Sequence, residues 1–186
     1  MIYSDNYFYH VYNRGAYRLD IFRSEFHYSY CLSLLQKYKK KYNVGIIAYC
    51  FMPNHYHFLL RQHEGGSISR FIQTTFNAYV QKFNRLEHRI GTIFQGTAKG
   101  IQVENDDYIC RLICYIHFNP VAAGLAASPD LWKYSDYNEW IGNREFIFDG
   151  KDLLPEYFET PQNYCGSMLN YQNNEIPKLL KGHLFD

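Results

Sequence analysis

Cysteine is scarce: five in 186 residues, an odd number, with no CxxC pair. That argues against a disulfide framework and for reduced thiols in a cytoplasmic protein. No apolar run approaches the roughly 18–20 residues of a membrane span, so no membrane partner is expected. Met1 is followed by polar and aromatic residues rather than a basic stretch and an apolar core, so no secretory signal is read. Repeats and low-complexity tracts are also missing. Excess charge of one sign is lacking too, the net being only +1. That balance is uneven along the chain. Residues 130–186 hold five Lys/Arg against ten Asp/Glu, whereas residues 1–129 hold fourteen against eight. A basic body thus precedes an acidic end. Tyrosine is abundant, 19 residues, and cations with flat rings suit single-stranded nucleic acid. The same rings serve equally to fill a core.

Local patterns set an order of elements. Residues 7–14 are aromatic and β-branched and read as a strand ending at Gly15. Ser24 and Glu25 open a helix that closes on Lys39-Lys40-Lys41. Val44 to Phe51 reads as a buried strand, Pro53-Asn54 as a turn, and His55 to Arg61 as its hairpin partner. Ser67 caps a helix reaching about His88, and Ile93 to Glu104 is extended, interrupted by Gly96 and Gly100. Asp106-Asp107 opens a helix that stops at Asn119-Pro120. The β-α-β-β-α-β order is the ferredoxin-like split βαβ arrangement, an α+β class. It predicts an antiparallel sheet with helices on one face, an added helix carrying Tyr115, and a C-terminal tail. The expected division is a core over 1–127 and an acidic extension over 128–186, packed on the core or partly irregular.

Two constellations carry chemistry. In His55-Tyr56-His57 the period of two sends both imidazoles to one face, where they can share a cation, and sends Tyr56 toward the core. The bland alternative is a pair of hydrogen-bonded surface histidines. On the last helix, Tyr115 and Asn119 are four apart and share a face. A phenol is a possible covalent nucleophile when a cation polarises a phosphodiester. The bland alternative is a core tyrosine and a helix-end amide, with Pro120 pushing Asn119 out of the helical region. His10 reads as a strand histidine satisfied by a neighbour. His117 points off the Tyr115 face. Cys110 and Cys114, one turn apart, read as small core residues.

The segment Met52-Pro53-Asn54-His55-Tyr56-His57 resembles the Met-Pro-Asn-His-x-His segment of single-tyrosine HUH transposases. Tyr115-Ile116-His117-Phe118-Asn119-Pro120-Val121 is similar to the Tyr-Ile-x-x-Asn-Pro-Val segment of REP-associated tyrosine transposases. Tyr9 to Gly15 and Phe94-Gln95-Gly96 match the same family in the same order, over roughly residues 7–140. The resemblance implies a divalent cation, Mg²⁺ or Mn²⁺, held by His55 and His57, with Asn119 as third ligand. It implies Tyr115 as the nucleophile that cuts a single-stranded DNA hairpin through a 5′-phosphotyrosine and rejoins it. Arg14, Lys99, Arg111 and Gln95 are the expected DNA contacts. The family continues Phe-Gln-Gly with Arg, an aromatic and Lys, whereas Gly96 is followed here by Thr97-Ala98-Lys99, so one cation is missing. A monomer or a homodimer is compatible. A catalytically silent hairpin-binding module, or a His-x-His hydrolase using water, remain open alternatives.

Overall fold

The structure, a computed structural model, describes residues 3–173. The acidic extension from 174 onward lies outside the described residues. Four strands form one sheet in the order β2-β3-β1-β4, with β1 (Phe8–Arg14), β2 (Val44–Met52), β3 (His55–Gln62) and β4 (Lys99–Val103). All three pairings are antiparallel. The helices α1 (Glu25–Lys39) and α2 (Ile68–Leu86) follow β1 and β3. This is the expected α+β split-βαβ topology.

Alternation along the strands sorts the core into two layers. Tyr9, Val11, Phe51, Tyr56 and Phe58 face α1 and α2, against Leu35, Phe71, Tyr79 and Phe83. Ala48, Cys50, Met52 and Leu59 face the opposite way, against Leu112, Ile113 and Ile116 of α3 (Asp106–Ala122). The added helix therefore takes the face that α1 and α2 leave open. Asn105 caps it, its side chain accepting from the Tyr108 N–H. Ser67 caps α2 in the same way through the Arg70 N–H. Ser24 holds the extended backbone of an N-cap, yet its side chain makes no capping bond. Its hydroxyl lies 3.3 Å from His27 Nδ1 instead.

Three local expectations are corrected. The extended stretch from Ile93 pairs as a strand only over Lys99–Val103, preceded by a single bridge between Gly15 and Phe94. The helix does not stop at Asn119-Pro120 but runs on to Ala122 with Pro120 inside it. Asn119 consequently stays helical, and its carbonyl accepts the Ala123 N–H at 2.9 Å. A proline in the last turn forfeits one helical N–H, while the carbonyls around it remain bonded to the chain that follows.

The extension beyond 127 is woven into this frame. It holds α4 (Tyr137–Trp140), α5 (Gly150–Phe158) and α6 (Pro161–Asn173). Trp140 and Tyr164 are fully buried in the α3-side layer. The segment also covers the outer edge of β2. Phe51 N–H donates to the Tyr134 carbonyl, Tyr49 N–H to Asp136 Oδ1, and Ile46 N–H to Asp149 Oδ2, at 2.7–2.9 Å. That cover satisfies an edge that would otherwise be free to pair with another chain. It also explains why β2 is buried at every position. Among the described residues, no helix is long and apolar enough to cross a membrane.

Candidate active site

At one end of the α3-side face of the sheet, β1 and β3 bring polar side chains together. Register places Tyr12 opposite His57 and Arg14 opposite His55. Alternation then puts His10, Tyr12, His55 and His57 on the same face. The His55 and His57 rings lie 5.0 Å apart, nearly perpendicular. His10 stacks on His57 at 5.2 Å between centroids, and Tyr12 flanks both.

Hydrogen bonds orient the two imidazoles. His55 Nδ1 lies 2.6 Å from Asn54 Oδ1. The Asn54 amide nitrogen donates to the Arg18 carbonyl at 3.2 Å, which fixes which end of the amide faces His55. An amide oxygen only accepts, so His55 carries its proton on Nδ1 and its lone pair on Nε2. His57 Nδ1 lies 3.0 Å from His10 Nε2. With His57 as donor in that pair, its Nε2 also presents a lone pair. This atom is buried and has no hydrogen-bond partner.

Burial, reinforced by Arg14, pushes the His55 pKa down to about 4. Burial first, then His55, His10 and Arg14, holds His57 well below the ordinary imidazole range. Both rings are therefore neutral near pH 7, the form that ligates metals. An unpartnered buried nitrogen is costly unless something else satisfies it, and a cation would do so here. Among the described residues, no group of three or more His, Cys, Asp or Glu side chains is placed to hold a metal. The imidazole pair would thus leave further positions to donors other than His, Cys, Asp or Glu side chains.

Tyr115 stands on α3 with its ring edge-on to His57, 5.5 Å between centroids, and to His10, 6.1 Å. Its hydroxyl donates to Asn119 Oδ1 at 3.1 Å, and Asn119 Nδ2 donates to the Tyr115 carbonyl at 2.8 Å. The helical turn thus holds the amide with its oxygen toward the phenol. Tyr115 is only 4% exposed, and burial pushes its pKa up, partly offset by the Asn119 bond. The phenol is protonated near neutrality.

The expected DNA contacts are placed unequally. Arg14 sits opposite His55 and Lys99 opposite Tyr12, its Nζ 5.9 Å from that ring. The Gln95 N–H donates to the Arg14 carbonyl at 2.9 Å, and its side chain is exposed. These three border the imidazole end of the sheet. Arg111 is exposed on α3 one turn before Tyr115.

Two side chains went unassigned from sequence: Asn54, read only as a turn residue, and His10, read as a satisfied strand histidine. His10 is engaged through its Nε2, by His57. Its place two residues before Tyr12 on β1 was the available signal, which needs the β1–β3 register to be used. His117 lies apart from the site, as expected, between Tyr164 and Asp136.

Residues 3–105 match a family described as IS200-like transposases. That stretch holds both imidazoles and ends before Tyr115. Among solved structures, the chain is similar to a REP-associated tyrosine transposase bound to a REP hairpin. The identity is 16% and the TM-score 0.62, over 81% of this chain and 90% of that one. A putative transposase from Deinococcus radiodurans aligns at 14% identity and a TM-score of 0.45, over 67% of this chain and 95% of that one. No curated protein matches. The first structural likeness is one of fold; the side-chain arrangement described above belongs to this chain.

Proposed function

The chain belongs to the IS200-like transposase family, and from that premise we propose that it is a metal-dependent single-stranded DNA strand transferase acting on hairpins. The observation that carries this reading is the pair of oriented imidazoles beside a helical phenol. Asn54 and His10 hold the Nδ1 atoms of His55 and His57, which leaves two Nε2 lone pairs for one cation. Tyr115 lies against His57 on the facing helix. Mg²⁺ or Mn²⁺ fits such a donor set when phosphate oxygens and water complete the shell. When bound there, the cation supplies Lewis-acid polarisation of a phosphodiester.

The chain's own residues do the rest. The Tyr115 hydroxyl leaves Asn119 and attacks phosphorus. The Tyr115 Oη–P bond forms as the P–O3′ bond breaks. The phenol loses its proton, and the departing 3′ oxygen gains one. A 5′-phosphotyrosine results, and the attack of a 3′-hydroxyl on it reverses the step. Because one phosphoester replaces another, rejoining needs no external energy source. Asn119 positions the phenol beforehand and offers an amide oxygen as a third ligand once the hydroxyl departs. Arg14 and Lys99 steady phosphates at the strand end, and Gln95 and Arg111 extend that contact.

The test is incubation with a single-stranded hairpin oligonucleotide and Mn²⁺. A covalent protein–DNA adduct is expected, absent in EDTA and absent in Tyr115→Phe, which still binds the hairpin. Adduct formation by Tyr115→Phe, or undiminished cleavage in EDTA, would overturn the assignment. Metal-dependent cleavage that leaves no adduct and survives Tyr115→Phe would instead indicate a hydrolase using water.

A further inference from the structure

Attack on phosphorus costs the Tyr115 hydroxyl the hydrogen bond it makes in this structure. The hydroxyl donates to Asn119 Oδ1 at 3.1 Å. To reach a phosphodiester it must turn away from that amide, and once its proton has gone the oxygen can only accept. The amide oxygen accepts only as well, and Asn119 Nδ2 is taken by the Tyr115 carbonyl. Asn119 therefore has nothing to give the oxygen after it turns. A donor held close to the phenol by another element would.

One is present on α6. Tyr171 packs into the α3-side layer that contains Tyr115. Its ring meets Phe118 edge-on, 5.7 Å between centroids. Phe118 follows Tyr115 by three residues and so neighbours it on the helix surface. The Tyr171 hydroxyl is buried and has no hydrogen-bond partner among the described residues. Burial is the main cause that raises the Tyr115 pKa; the Asn119 bond opposes it, and Tyr171 then adds to the rise ahead of Cys50 and Tyr12. The two phenols are thus neighbours with no bond between them in this state. A buried hydroxyl without a partner is costly. Here it stands beside the one oxygen that changes partners during the reaction.

We propose that Tyr171 is a positioning residue for strand transfer: its O–H donates to the Tyr115 oxygen as that oxygen turns from Asn119 toward phosphorus. The inference rests on the strand-transfer reading above. The Tyr171 proton stays on Tyr171 throughout. In cleavage the bond aims the Tyr115 oxygen and steadies the charge that grows on it as its own proton leaves. In rejoining, the same bond meets the charge that returns to that oxygen as the Oη–P bond breaks. A donor already in place where charge develops, in a site that holds little water, is worth more than one in solvent. The C-terminal extension then does more than cover β2, since α6 brings to α3 a donor that the helix itself lacks.

The experiment compares the full chain with Tyr171→Phe, which removes the hydroxyl alone, and with 3-fluorotyrosine at position 171, which keeps it. Single-turnover adduct formation with Mn²⁺ is followed over a range of hairpin concentrations, beside rejoining from the isolated adduct and urea unfolding without DNA. In Tyr171→Phe the maximal rates of both steps are expected to fall about tenfold or more, at an unchanged half-saturating hairpin concentration. Its unfolding midpoint should hold or rise, because an unsatisfied hydroxyl has gone. The fluorinated residue should restore both rates. Unchanged rates in Tyr171→Phe would overturn the proposal, and so would faster ones, which would make Tyr171 a mere cover on the nucleophile. A fall in rate matched by weaker hairpin binding or a lower midpoint would also overturn it and leave Tyr171 a packing residue. A wild type that forms no adduct would sink the strand-transfer reading and this role together, whereas a normal adduct at equal rates in Tyr171→Phe would sink this role alone.

Discussion

His57 and His117 are both buried, 2% and 0% exposed, yet their surroundings differ in one decisive respect. Both ring nitrogens of His117 are engaged, Nδ1 with the Tyr164 hydroxyl at 2.6 Å and Nε2 with Asp136 Oδ1 at 2.8 Å. Asp136 in turn accepts from the Tyr49 N–H and from Trp140 Nε1. That network is complete, and it clamps the C-terminal extension onto α3 and the edge of β2. His57 has one nitrogen engaged and one bare. A satisfied polar cluster holds the fold together; one left open at the His57 Nε2 is poised to bind something. Histidine content alone does not separate the two.

The largest effect expected from this contrast is on chemistry. His57→Ala should abolish metal-dependent adduct formation while shifting the urea unfolding midpoint only modestly, since no ion pair is broken. A large loss of stability in His57→Ala, with the adduct retained, would erase the distinction. Asp136→Ala should do the reverse. It strands three buried donors and is expected to cost about 3–5 kcal/mol in urea unfolding. Its folded fraction should still bind Mn²⁺, which isothermal titration would read.

Next in size is His10→Phe, which keeps a ring on His57 but removes the acceptor at its Nδ1. Mn²⁺ affinity, read by titration without DNA, is expected to fall about 10–100-fold, and His10→Gln, which restores an acceptor, should recover part of it. Equal affinity in all three proteins would show that His10 does not orient His57.

The smallest effects are pH slopes of opposite sign. His55 is a base whose folded pKa is lowered from 6.5 to about 4. Its contribution is complete above 6.5 and is lost as pH falls toward 4. Glu139, 2% exposed, is an acid raised from 4.5 to about 7, chiefly by burial and then by Asp136, against the Ile147 N–H and Arg144. Its contribution is complete below 4.5 and is lost as pH rises toward 7. Glu139→Gln should therefore gain stability relative to the wild type above neutrality, and His55→Gln should flatten the acid limb. Parallel pH profiles for the two variants would contradict the assignment.

Much of this arrangement is legible in the residues, because local periodicity governs it. Alternation put His55 and His57 on one face, a four-residue spacing put Tyr115 with Asn119, and the order of elements led to the sheet topology. What was not legible depends on partners far away in the chain. The His10–His57 bond spans 47 positions and exists only through the β1–β3 register. The bond from Asn54 to Arg18 needs the two turns to meet at the sheet end. Pro120 read as a stop because its local cost is visible, whereas the bonds that Ala123 to Leu125 return to the last helical carbonyls are not. The acidic extension read as packed on the core or partly irregular, with neither singled out, because its role, covering β2 and burying Trp140 and Tyr164, is wholly tertiary.

The central claim is that the Nε2 atoms of His55 and His57 share one cation beside Tyr115. Electron spin echo spectroscopy of Mn²⁺ bound to ¹⁵N-histidine-labelled protein tests it directly. The account predicts coupling to two imidazole nitrogens, reduced to one in His55→Ala and in His57→Ala alike. Mn²⁺ that shows no imidazole coupling, or coupling that persists unchanged in both variants, would contradict it.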